Sequence, residues 1–109
     1  MVSRLYGFYK ALHDALLKFP KVERYSLGQT AQNATLGLIE LLISASKTSQ
    51  PQRKSDCLTL ANTKLEMIKL FLRLSKDVNA LTDRRYLELQ SILQEVGKML
   101  GGWIRSVKR

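Results

Sequence analysis

Between Tyr25 and Ser46 the chain carries a single charge, Glu40, although 18 basic and 9 acidic residues are spread over its 109 positions. Within that span Leu27, Ala31, Ala34, Leu38, Leu41, Leu42 and Ala45 recur at intervals of three and four, the period of an α-helix. Tyr25, Leu36, Ile39 and Ile43 widen the apolar face. At about 100° per residue that face exceeds half of the circumference. A helix so broadly apolar cannot lie on a surface with one side in water. It must be covered on more than one side, by other helices of its own chain alone or together with a second copy of it. Ser26, Gln29, Thr30, Asn33 and Ser44 on the remaining strip argue against a lipid span. The stretch reads as the central helix of a soluble bundle, over about 24–47.

The flanking segments supply its neighbours. A first helix is expected over about 3–18, with Leu5, Phe8, Leu12, Ala15, Leu16 and Phe19 on one face. Pro20 closes it, because proline disfavours helical geometry in the residue before it. Gly28 and Gly37 sit inside the central helix, marking either close approach by a neighbour or simple tolerance. Ser46 to Gln52 is the strongest loop signal. A third helix follows over about 55–78 with two adjoining seams: Leu58, Ala61, Leu65, Ile68 and Leu72, then Leu60, Met67, Phe71, Leu74 and Val78. Lys64 falls inside this doubled face, where it must pair with an acid (Glu40 is the candidate) or face a wet gap between subunits. Asn79 to Thr82 forms a turn, and Thr82 or Asp83 caps a fourth helix over about 83–104. Its stripe is narrower: Leu89, Ile92, Leu93, Val96, Met99, Leu100 and Trp103. Gly101-Gly102 is expected to loosen the last turn and Trp103 to fold back onto the bundle.

The predicted architecture is all-α, one domain over residues 1–109, an antiparallel up-down four-helix bundle. Two of its helices offer more apolar surface than a bundle interior uses, so self-association is expected. Leu38, Glu40, Leu42, Lys64, Met67 and Phe71 are the candidate core and oligomer residues.

Candidates for chemistry are few. His13 is the only histidine, and nothing beside it supplies a nucleophile. One histidine and one cysteine, Cys57, cannot build a tetrahedral metal site. Neither a phosphate-binding Gly-x-x-x-x-Gly-Lys loop nor a dinucleotide fingerprint occurs. The expectation is therefore no enzyme, no cofactor, no metal and no small-molecule substrate. A lone cysteine excludes an internal disulfide and fits a reducing compartment. Arg4, Lys10 and Asp14 interrupt the N-terminal apolar residues, so no signal peptide is read there and a cytoplasmic location is expected.

Charge is the remaining signal. A net +9 in 109 residues points to a polyanion or an acidic protein surface. The surplus is spread through the helices rather than held in a tail, so a nucleic acid would lie across a folded surface. Candidate contacts are Lys21 and Arg24 at the first corner, Arg73 and Lys76 on the third helix, and Arg84, Arg85, Lys98 and Arg105 on the fourth.

Three segments, in order, carry a family resemblance. They are Phe19-Pro20-Lys21 with Arg24-Tyr25-Ser26-Leu27-Gly28, Leu70-Phe71-Leu72-Arg73-Leu74-Ser75-Lys76-Asp77, and Tyr86 through Glu95-Val96-Gly97-Lys98-Met99-Leu100-Gly101-Gly102-Trp103. Together they resemble the accessory variability determinant (Avd) proteins of diversity-generating retroelements. The intervening-sequence proteins encoded within bacterial 23S ribosomal RNA genes share the bundle and the Phe-Pro corner and are the alternative. A third reading is an oligomeric structural bundle with a protein partner and no nucleic-acid role. The Avd resemblance implies a non-catalytic four-helix bundle assembling as a homopentameric barrel. It implies binding to the reverse transcriptase of the element and to template RNA or cDNA, in support of mutagenic retrohoming. Lys21, Arg24, Arg73, Lys76 and Lys98 lie within the matching segments.

Overall fold

The computed structural model describes residues 1–108 and is helical almost throughout. Helix α1 spans Val2–Leu16, α2 Lys21–Glu23, a π-helical segment Arg24–Gly28, α3 Gln29–Lys47, α4 Pro51–Asp77 and α5 Asp83–Val107. Arg24, Gly28 and Gln29 all keep right-handed helical dihedrals, so α2, the π segment and α3 run as one rod. Four rods result, and among the described residues there is no strand. Each packs against the rod before it and the rod after it, with α1 and α5 closing the circle and α3 lying most extensively on α4.

The core follows the predicted stripes. Leu5, Phe8, Leu12, Ala15, Leu16 and Phe19 of the first rod and its corner are buried together. They meet Ala31, Leu38, Leu42 and Ala45, the seam Leu58, Ala61, Leu65, Ile68 and Leu72, and Leu89, Leu93, Val96 and Leu100. Complete burial of each leucine or phenylalanine contributes about 1.5–3 kcal/mol before entropy is counted. Two buried hydroxyls accompany them. Thr35 donates to the Ala31 carbonyl at 2.8 Å and Ser75 to the Phe71 carbonyl at 2.7 Å, each satisfied within its own helix.

Helix ends explain where the structure departs from the expected boundaries. α4 starts at Pro51, four residues before the expected 55, leaving only Thr48–Gln50 as the loop. Proline suits the first helical position, where its missing N–H is not needed. α4 ends with Asn79 at φ 61°. Ala80 N–H donates to Ser75 O at 2.8 Å and Asn79 N–H to Lys76 O at 3.0 Å, a Schellman closure. α5 continues through Gly101-Gly102 to Val107, so the glycines do not loosen its last turn. Trp103, Ile104 and Val107 pack on the core there, and that packing outweighs a helix-propensity penalty of about 1 kcal/mol per glycine.

At about 1.5 Å per residue, the 15 residues of α1 reach about 22 Å and the 27 of α4 about 40 Å. The molecule is 44 Å long. α1 therefore lines only about half of it, and Arg4, near the start of α1, pairs with Glu95, midway along α5. The Phe19-Pro20 corner end is built from four rods. The opposite end, at the Thr48–Gln50 loop, is built from three.

Candidate nucleic-acid interface

Six of the eight predicted contact residues gather at the corner end, where α1 and α4 finish and α2 and α5 begin. Several are already engaged there. Arg24 is half-buried, and its Nε and Nη2 donate to the Leu16 and Leu17 carbonyls at 3.1 and 2.9 Å. It closes the C-terminal end of α1, whose last carbonyls have no helical partner. Beside it Gly28 is buried, and a Cβ at that position would stand 2.5 Å from Leu16 Cδ2. Close approach is therefore the reason for this glycine. At Gly37 the same atom would meet Lys64 Cε at an ordinary 3.5 Å, so tolerance suffices there.

Arg73 Nε lies 3.4 Å from Asp77 Oδ1, and Arg84 Nε 3.5 Å from Glu88 Oε1, both exposed pairs one helical turn apart. Lys76 Nζ sits 5.0 Å from the centroid of the Tyr86 ring, a cation–π geometry. Lys21 is exposed and Arg85 half-buried. Arg85 N–H donates to Thr82 Oγ1 at 3.2 Å, so Thr82 is the cap of α5. Arg85 and Lys18 line a cavity of about 310 Å³ with Ala15, Asn79, Ala80, Leu81, Thr82 and Asp83. Lys98 and Arg105 are exposed on α5, away from this end.

The loop end carries Arg105, one of the predicted candidates, and cations that the sequence reading left out. Lys47 and Arg53 line one hollow with Ser44 and Thr48; Lys54 lines another with Ser49, Pro51, Trp103, Ser106 and Val107. Arg105 and Lys108 are exposed on the last turns of α5, with the Arg105 guanidinium near Gly101 and Gly102. From position 41 to 65 Asp56 is the one acid, and from 96 to 109 there is none. Asp56 Oδ1 already accepts from Gln52 Nε2 at 2.9 Å. Among the described residues, Lys47, Arg53, Lys54, Arg105 and Lys108 make no ion pair. Placing the start of α4 at 55 put Arg53 and Lys54 in a loop, and that hid their setting.

The candidate core and oligomer residues divide. Leu38 and Leu42 are fully buried and Phe71 half-buried, as core positions should be. Glu40, Lys64 and Met67 are exposed on the single chain, so they are not core and only the oligomer reading is left to them; among the described residues Glu40 and Lys64 form no ion pair. Glu40 lies on the outer side of α3 with Leu36 and Ile43, so burial demands no partner for it. Apart from Phe71, the second seam of α4 also faces outward. Leu60 is 56% exposed and Leu36 51%, and Ile43, Met67, Leu74 and Val78 are exposed too. Met99, expected in the α5 stripe, is exposed as well. Cys57 is half-buried against the core, Trp103 folds onto it as expected, and His13 is exposed beside Tyr9, Lys10 and Asp14. No helix of the described residues is long and apolar enough to cross a membrane.

Fold and surface together place the molecule among small basic four-helix bundles whose outer face remains apolar in the single chain. A family model described as bAvd-like matches residues 1–107, and the chain belongs to that family. No curated protein matches it.

Proposed function

We propose that this protein is the non-catalytic accessory protein of a diversity-generating retroelement. It binds the reverse transcriptase of that element and its template RNA or cDNA through a basic surface, and so supports mutagenic retrohoming. Membership of the bAvd-like family over nearly the whole chain carries the reading. A net charge of +9 supports the polyanion part of it, because cations attract phosphate chains without reading their sequence.

The outward apolar strip of α3 and α4 supports assembly of identical copies, with the family resemblance suggesting five. Leu36, Ile43, Leu60, Met67 and Leu74 are costly to leave in water, and a neighbouring copy would cover them. Assembly also multiplies the charge, raising the local field at the basic surface.

The test is co-purification with the reverse transcriptase of the same element, together with retention of RNA and DNA across a salt series. Association with the enzyme and steeply salt-dependent retention are expected. Absence of both defeats the proposal. Sedimentation at micromolar concentration that finds only a compact 12.4 kDa species defeats the assembly.

A further inference from the structure

The geometry points to the loop end, not the corner end, as the surface on which a nucleic-acid phosphate backbone rests, with Lys47, Arg53 and Lys54 as its principal contacts. This assignment rests on the polyanion-binding part of the function proposed above.

Three observations carry it. First, four of the six candidate cations at the corner end are engaged within the chain, while Lys21, Arg85 and the neighbouring Lys18 have no ion-pair partner among the described residues. Arg24 holds two carbonyls, Arg73 and Arg84 have carboxylate partners, and Lys76 lies over Tyr86. Lys47, Arg53 and Lys54 have no such ion-pair partner among the described residues. Second, Arg53 and Lys54 occupy the first turn of α4, which contains no acid. The helix dipole is positive at that end, so it favours carboxylates there and opposes cations. Lys47 is different, since it sits in the last turn of α3, where the dipole favours it. Arg53 and Lys54 therefore work against the stability of their own helix, a pattern expected where function has overridden folding.

Third, the surroundings suit phosphate better than a membrane or a hydrophobic partner. Among the described residues none of the large exposed apolar side chains lies between Ser44 and Thr59 or beyond Met99, so this end presents no broad apolar patch to a bilayer or a hydrophobic partner. The tip offers Thr48, Ser49 and Gln50, uncharged groups that can donate to phosphate and sugar oxygens. The cations flank that tip, with Lys47 and Arg53 in one hollow and Lys54 in the other. A single strand passing over the loop would meet positive charge on both sides.

The experiment compares two double variants of the full chain that lose the same charge: Arg53→Gln with Lys54→Gln at the loop end, and Lys18→Gln with Lys21→Gln at the corner end. The probe is a labelled single-stranded oligouridylate of about 20 nucleotides, titrated across a salt series. In the loop-end variant the slope of log affinity against log salt should shrink by about 1.4, and affinity near 0.1 M salt should fall about 25-fold. The other variant should stay close to wild type in slope. The loop-end variant should also melt at or above the wild-type temperature, because the conflict with the dipole is relieved. Equal losses in both variants, or no loss at the loop end while wild type binds, would overturn the assignment and leave the proposed function standing. A clearly lower melting temperature for the loop-end variant would overturn it too, by marking the pair as structural. Wild-type binding to polyglutamate or to phosphatidylserine vesicles as tight as to RNA would overturn it in favour of another anionic partner. Wild-type protein that binds no nucleic acid at all would defeat the proposed function as well.

Discussion

Replacing Arg24 by methionine keeps the aliphatic stem and removes the guanidinium that spans the end of α1. Two hydrogen bonds are lost, to Leu16 O at 3.1 Å and Leu17 O at 2.9 Å. A hydrogen bond to a charged group contributes about 1.5–3 kcal/mol when its partner is left dry, and less when water can replace it. The Leu16 carbonyl is in a part-buried setting and the Leu17 contact is exposed, so the first bond takes most of the effect. The sum is about 2–3 kcal/mol. For a chain near 100 residues each kcal/mol moves Tm by about 4 °C, so Tm should drop by about 10 °C. Arg24→Lys should fall between, since an ammonium keeps the charge near the helix end but cannot hold both carbonyls in a fork. Far-UV circular dichroism during heating measures this, at one fixed protomer concentration because assembly would shift Tm by mass action. A methionine variant melting within about 2 °C of wild type would refute the capping role of Arg24.

Three further variants test burial and capping. Leu38→Asp should abolish the helical signal, because it places an unpaired carboxylate in a fully buried site. Met67→Asp should leave that signal intact while shifting sedimentation toward the single chain; loss of helicity in both would show that the outer strip of α4 belongs to the core. Thr82→Ala removes the acceptor of the Arg85 amide and should cost about 1 kcal/mol, read as a Tm lower by about 4 °C. An unchanged Tm would mean that water or Asp83 supplies the cap equally well.

Much of the fold was legible from periodicity. The face predicted for the first helix is buried residue for residue, and the first seam of α4 is likewise complete. The candidate site was less legible. Lys21, Arg24, Arg73, Lys76, Arg84 and Arg85 stand out in the sequence only as basic residues in or near recognisable segments. A residue type does not say whether its charge is already spent. Arg24 is separated by eight residues from the carbonyl it caps, and that contact exists only because the corner folds α1 back beside the next rod. Lys64 shows the converse. Its place in an apolar pattern asked for an acid partner or a wet gap between subunits, and on the single chain it is exposed beside Leu60 and Met67, so burial demands no acid partner.

Local order in the chain determined the helices, their stripes, the Pro20 corner and the Thr82 cap, because each depends on residues within a few positions of one another. It also determined the net charge, which no packing can change. Tertiary structure decided how deep each stripe is buried, since a helix has one inward direction and Leu60 and Met67 lose it to Leu58 and Leu65. It decided which cations are committed, because ion pairs and caps require approach in space. The loop end is the product of both. Its cations are written in the sequence, but only a helix beginning at Pro51 sets Arg53 and Lys54 against the dipole, and only the shortness of α1 leaves that end to three rods.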